Sequence, residues 1–261
     1  MVGLGAWFGG RSLFVNVLGA RCQATAGGNS VNFDPEQMSN AATITAIALR
    51  RGLPARAATI ALATAIQESK LRNIRYGDRD SVGLFQQRPS QGWGTVEQIL
   101  DPEYTTNKFY DALIKVKNWE TDTITVVAQK VQRSAYPEAY ADHEQEGRIL
   151  ASALAGHSPR GVACRLDTPQ GEADVAMIGR LLKAEYTVQS STDKATMTID
   201  APSDQIAWSI ASWSVAKAVD TGITGVTVGD RRWIRGRDSS AWTWARTDTP
   251  APARQVLLHL N

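Results

Sequence analysis

Glu68 stands at the end of a long apolar stretch. From Ala57 to Ile66 only Thr59 and Thr64 interrupt the apolar residues, the pattern of a helix buried on all faces. The stretch ends in Gln67-Glu68-Ser69-Lys70. A carboxylate there meets two effects of the same sign, since desolvation and the negative end of the helix dipole both disfavour its charge. Both raise its pKa, and a carboxyl so tuned can act as a general acid near neutrality. The plainer alternative is an exposed glutamate in a last helical turn. Metal chemistry is not expected: the chain has three His (His143, His157, His259) and two Cys (Cys22, Cys164), with no CxxC or HExxH spacing. No cofactor is implied.

The elements that must hold Glu68 follow from turn and cap residues. Asp34-Pro35-Glu36-Gln37 opens a helix with an N-cap, a proline at N1 and acids in the first turn. That helix runs to Arg50-Arg51 and stops at Gly52. Leu53-Pro54 opens the helix that ends at Glu68. Residues 73–95 form a loop rich in Gly, Asp, Ser and Pro. Trp93 lies there between two glycines, where its face can stack on a pyranose ring or cap the core. Helical patterns return at about 107–117, 124–135 and 137–155, and Gly156 closes the last. Beyond residue 174 come a short helix (Val175–Tyr186), a run at 195–199 and a helix from Asp204 to Val219 capped by Ser203. Val226–Val228, Arg232–Arg235, Ala241–Arg246 and Gln255–Leu260 read as strands. The expected organisation is an N-terminal apolar segment at 1–28, a mainly α domain at 29–157, a linker at 158–173 and a small α+β domain at 174–261.

Composition narrows the classes. With 43% apolar and 21% charged residues the chain is globular, not disordered, collagen-like or a multi-pass membrane protein. A net charge of +2 argues against a nucleic-acid partner. Residues 1–20 are apolar but broken by Gly9, Gly10, Arg11 and Asn16, so they match neither a spanning helix nor a signal peptide well. They read as the tail of an export segment, a candidate membrane tether, or a frayed terminus.

Glu68-Ser69 is followed by Asn73, by Gly77-Asp78-Arg79 and Gly83-Leu84-Phe85-Gln86, and later by Ser134-Ala135-Tyr136. This order resembles the lysozyme-like fold of soluble lytic transglycosylases and goose-type lysozymes, over about residues 30–156. Phe85 stands where those families carry Met, and Pro137 where they carry Asn. The resemblance implies a metal-free peptidoglycan glycosidase whose Glu68 protonates the oxygen between N-acetylmuramic acid and N-acetylglucosamine. It implies that Ser69 steadies the acid or the sugar's N-acetyl group. Gly83 to Gln86 would floor the cleft, Gln86 would hydrogen-bond substrate, and Tyr136 would set a phenol against Glu68. For Tyr136 a core role is the alternative. Asp78, through Gly-Asp-Arg, is the first candidate for a second carboxylate and Asp80 the next; loop-turn roles are the alternative for both. With a base about 6.5–9.5 Å from the acid the product is a reducing sugar; without one it is a 1,6-anhydro sugar. Arg72, Arg75, Arg79 and Arg88 would attract acidic peptide stems and anionic wall polymers, or form a solvated basic face.

Such work lies outside the cytoplasm, in a secreted or surface protein. There Cys22 and Cys164, which bracket the domain, are expected as a disulfide, with two free thiols as the alternative. The C-terminal helix with Trp208 and Trp213 and the Gly229-Asp230-Arg231-Arg232-Trp233 hairpin resemble a small domain at the end of secreted actinobacterial cell-wall proteins, which implies a surface for a wall-protein partner; the Trp residues are expected in the core. The rival reading is a catalytically inactive peptidoglycan-binding or adaptor protein that keeps the fold.

Overall fold

The computed structural model describes residues 19–132 and 137–261. Strands β1 (Arg21–Ala26) and β2 (Asn29–Phe33) form a hairpin, so residues 21–28 belong to the fold rather than to an export-like segment. Residues 1–18 lie outside the described residues. Helix α1 (Pro35–Arg50) starts at a capping box: Asp34 accepts from the Gln37 N–H, and the Gln37 side chain accepts from the Asp34 N–H, each at 3.0 Å. Helix α2 (Ala55–Ser69) is buried from Ala57 to Ile66, as its composition requires.

Helix α1 and the segments that follow the loop frame α2. Helices α3 (Val96–Ile99) and α4 (Pro102–Leu113) lead to α5 (Ile124–Gln132). The stretch expected as one helix over 137–155 is divided into a 3-10 segment, Pro137–His143, and helix α6 (Glu144–Leu154). The tighter 3-10 winding re-aims its side chains, and Tyr140 is fully buried. Helix α6 lies hard against α2 at Gly147, where an added Cβ would come within 2.9 Å of the Thr59 carbonyl oxygen. That close approach fixes the axis on which Glu68 rides.

Strand β3 (Val162–Arg165) falls in the stretch expected as a linker. It pairs antiparallel with β1, setting Cys164 opposite Cys22 in a sheet ordered β2-β1-β3. The two cysteines are joined by a disulfide across 142 residues of sequence, a closure worth at most about 5 kcal/mol in the chain-entropy model.

The rest adds α7 (Val175–Glu185), β4 (Ser190–Asp193), β5 (Thr196–Asp200), α8 (Asp204–Ala216) and α9 (Ala218–Thr221). Strands β6 (Gly225–Val228), β7 (Arg231–Ile234), β8 (Ala245–Arg246) and β9 (Gln255–His259) complete an antiparallel sheet ordered β4-β5-β9-β6-β7-β8. Ser203 caps α8 as expected, accepting from the Ile206 N–H at 3.2 Å. The stretch 241–246 is only partly strand. Ser239–Trp242 is a 3-10 turn that brings the Ala241 carbonyl to the Trp233 indole N–H at 3.0 Å. A buried indole needs such an acceptor. Trp213 and Trp233 are fully buried.

The molecule is a mixed α+β fold with a core continuous from Cys22 to Leu260. Helix α8 packs on α1, α6 and β3. A buried polar relay crosses this contact. Lys217 donates to Thr43 of α1 at 2.7 Å, Thr43 donates to Glu185 of α7 at 3.0 Å, and the Trp213 indole donates to Glu185 at 2.7 Å.

Candidate active site

Helix α2 ends abruptly after Glu68 and Ser69 because Lys70 and Leu71 both adopt left-handed backbone, at φ 56° and 58°. Leu71 is fully buried, which anchors the reversal. The Glu68 side chain is left half-buried at the helix end. The Tyr140 hydroxyl donates to Glu68 Oε1 at 2.6 Å, a short, charge-assisted distance. Gln132, the last residue of α5, donates its amide to the Phe85 carbonyl at 2.6 Å. Burial holds the Glu68 pKa above the ordinary carboxyl value, and hydrogen bonding from Tyr140 and then Gln132 offsets part of that rise. Desolvation wins, so the proton is held more tightly than in water while two donors stand ready to steady the carboxylate once it leaves.

The loop after α2 is tied to this helix end. The Ser69 hydroxyl donates to the Leu84 carbonyl at 2.7 Å and lies 3.1 Å from the Ala65 carbonyl. It is buried and joins α2 to the loop rather than facing a sugar. Gly83 has φ +81°, and a Cβ would meet the Ile99 carbonyl oxygen at 2.7 Å. Its missing side chain therefore serves the packing of the loop on α3. The Gln86 side chain turns back on its own loop, donating to the Gly83 carbonyl at 3.2 Å and accepting from Ser81 Oγ at 3.0 Å. Phe85, in the Met position of the resemblance, is fully buried and stacks on Phe109 with centroids 4.5 Å apart.

The candidate second acids stand differently. The Asp78 side chain is 92% exposed, with Arg79 at 3.8 Å. Asp80 is held by Arg88 at 2.7 Å and by the Ser90 N–H at 2.8 Å, and these bonds, the Ser90 N–H first, hold its carboxyl well below the usual range. The loop arginines are largely engaged as well: Arg72 pairs with Asp34 and Glu36, and Arg88 with Asp80. Tyr136 lies outside the described residues; the phenol seen on Glu68 is that of Tyr140.

Trp93 packs partly against the core and lines a groove of about 480 Å³ between α4 and α5. Gln132 lines the same groove, so the groove lies one side chain from Glu68. Tyr140 and Gln132 are the site residues that sequence reasoning missed. Tyr140 carried a usable signal, as a second tyrosine four residues beyond Tyr136 in the same segment. Gln132 carried none. Among the described residues there is no group of three or more metal-ligating side chains, and no helix is long and apolar enough to cross a membrane. Comparison with models of protein families and with curated proteins finds no match for this chain.

Proposed function

We propose that the chain is a lysozyme-like peptidoglycan glycosidase in which Glu68 is the general acid, acting on the β-1,4 bond between N-acetylmuramic acid and N-acetylglucosamine. The observation that carries the reading is the half-buried Glu68 carboxyl, its pKa raised by burial and its oxygen held at 2.6 Å by the buried Tyr140 phenol. Glu68 gives its proton to the bridging oxygen as the bond to C1 breaks. Tyr140 and Gln132 then steady the carboxylate. That carboxylate takes the proton of the muramic 6-hydroxyl as this oxygen closes on C1, so a 1,6-anhydro product forms and no water is consumed. The anhydro route is favoured over hydrolysis because the Asp78 side chain stands in solvent and the Asp80 carboxylate is already engaged by Arg88 and Ser90, which leaves it a weak base. The disulfide fits work in an oxidising compartment, at the cell surface or beyond it.

The test is mass spectrometry of peptidoglycan digested with the wild type and with Glu68→Gln. Anhydro-muropeptides are expected from the wild type, reduced by about 10²–10⁴-fold in the variant. Reducing ends instead would move the reading to a hydrolase. No fragments from either protein, with both pelleting on the wall, would replace it with a binding protein.

A further inference from the structure

The groove between α4 and α5 has a charge that the rest of the site lacks. Lys108, Lys115 and Lys130 all line it, together with Trp93 and Gln132. The Lys130 ammonium is paired with Asp122 at 2.7 Å. The groove's own carboxylate, Asp111, is turned to Arg51 at 2.7 Å. Lys108 lies over the Tyr104 ring at 5.4 Å. Among the described residues neither Lys108 nor Lys115 has a carboxylate within ion-pair distance. Ammonium groups lining one groove without their own counter-ions favour an anion there. A second feature lies beside the lysines: among the described residues the side-chain amide oxygen of Gln132 is buried and has no hydrogen-bond partner, so it is an acceptor awaiting a donor.

We propose that this groove binds the carboxylate-bearing peptide attached to the glycan strand, with Lys108 and Lys115 as its anion contacts and Trp93 as its apolar wall. The proposal rests on the glycosidase reading and deepens it by naming which strands are preferred. A carboxylated peptide supplies the charge that Lys108 and Lys115 lack and amide N–H donors for the Gln132 side-chain oxygen. It sits beside the bond that the glycosidase reading has cleaved at Glu68, the residue Gln132 reaches.

The test compares the wild type, Lys108→Gln/Lys115→Gln and Lys108→Arg/Lys115→Arg on three preparations. These are peptide-bearing strands, the same strands with the peptides removed enzymatically, and peptide-bearing wall stripped of phosphate polymers. Binding is measured by sedimentation and cleavage by mass spectrometry. The wild type is expected to favour peptide-bearing over peptide-free strands by about tenfold, as two partly screened ion pairs allow. The Gln pair should lose that ratio, and the Arg pair should keep it. An equal ratio in wild type and Gln pair, with both folded by thermal unfolding, overturns the proposal. So does a preference that vanishes with the phosphate polymer instead of the peptide. If nothing is cleaved yet lysine-dependent binding of peptide-bearing strands persists, the groove stands and the glycosidase reading falls.

Discussion

Tyr140→Phe isolates the contact on which the proposed acid depends. The ring stays in its fully buried place and only the hydroxyl that donates to Glu68 at 2.6 Å is lost. A hydrogen bond to an ionised partner contributes about 1.5–3 kcal/mol and a neutral one about 0.5–1.5 kcal/mol. The variant should therefore be destabilised by about 2 kcal/mol when Glu68 is ionised and by about 1 kcal/mol when it is protonated. The sign with pH follows from the raised pKa. The folded state holds this proton more tightly than the unfolded chain does. Glu68's stability contribution is thus complete below its unfolded pKa and is lost as pH rises through the folded one. Removing a donor that favours the ionised form enlarges that loss. Urea unfolding from pH 4 to pH 8 should show the gap between variant and wild type widening by about 1 kcal/mol toward high pH. In a Glu68→Gln background the gap should be flat. A gap that is independent of pH in the wild-type background would refute the idea that the phenol serves the carboxylate.

Two further substitutions probe the frame. Gly83→Ala forces a side chain into a left-handed position and toward the Ile99 carbonyl oxygen at 2.7 Å. It should cost about 1–3 kcal/mol and lower the thermal midpoint; an unchanged midpoint would show that the loop yields freely. Lys217→Met strands Glu185, whose side chain is 3% exposed, at a cost of about 3–5 kcal/mol. Adding Glu185→Gln, whose amide oxygen accepts from the Trp213 indole and whose NH2 donates to the Thr43 hydroxyl, should recover most of that loss. A double variant no more stable than the single one would contradict the assignment of the relay.

Local signals in the sequence located most of the elements. The Asp34 box, the Ser203 cap and the apolar run ending at Glu68 each work within a few residues, and each forms where the sequence puts it. Segments whose fate depends on distant partners were harder to read. Residues 162–165 lie in a stretch that reads as a linker, and they become a strand because β1 offers an edge and Cys22 lies opposite Cys164. Residues 241–246 alternate like a strand, yet 241–242 turn because the Trp233 indole requires the Ala241 carbonyl. The roles given to Ser69, Gly83 and Gln86 moved for a related reason. Motif residues show chemical type, while hydrogen-bond partners such as Leu84, Ile99 and Ser81 decide whether a group is available to a ligand.

The sequence by itself determined that a carboxylate ends a buried helix, that two cysteines bracket the helical region, and that the composition holds a folded core. These are properties of single segments or of residue counts, set by periodicity, capping and burial. Tertiary structure alone decided which phenol meets Glu68, that Gln132 separates it from a lysine-lined groove, and that Asp80 is engaged elsewhere. Such contacts join residues up to 72 positions apart. Their geometry is set by how helices and loops pack, which no local pattern encodes.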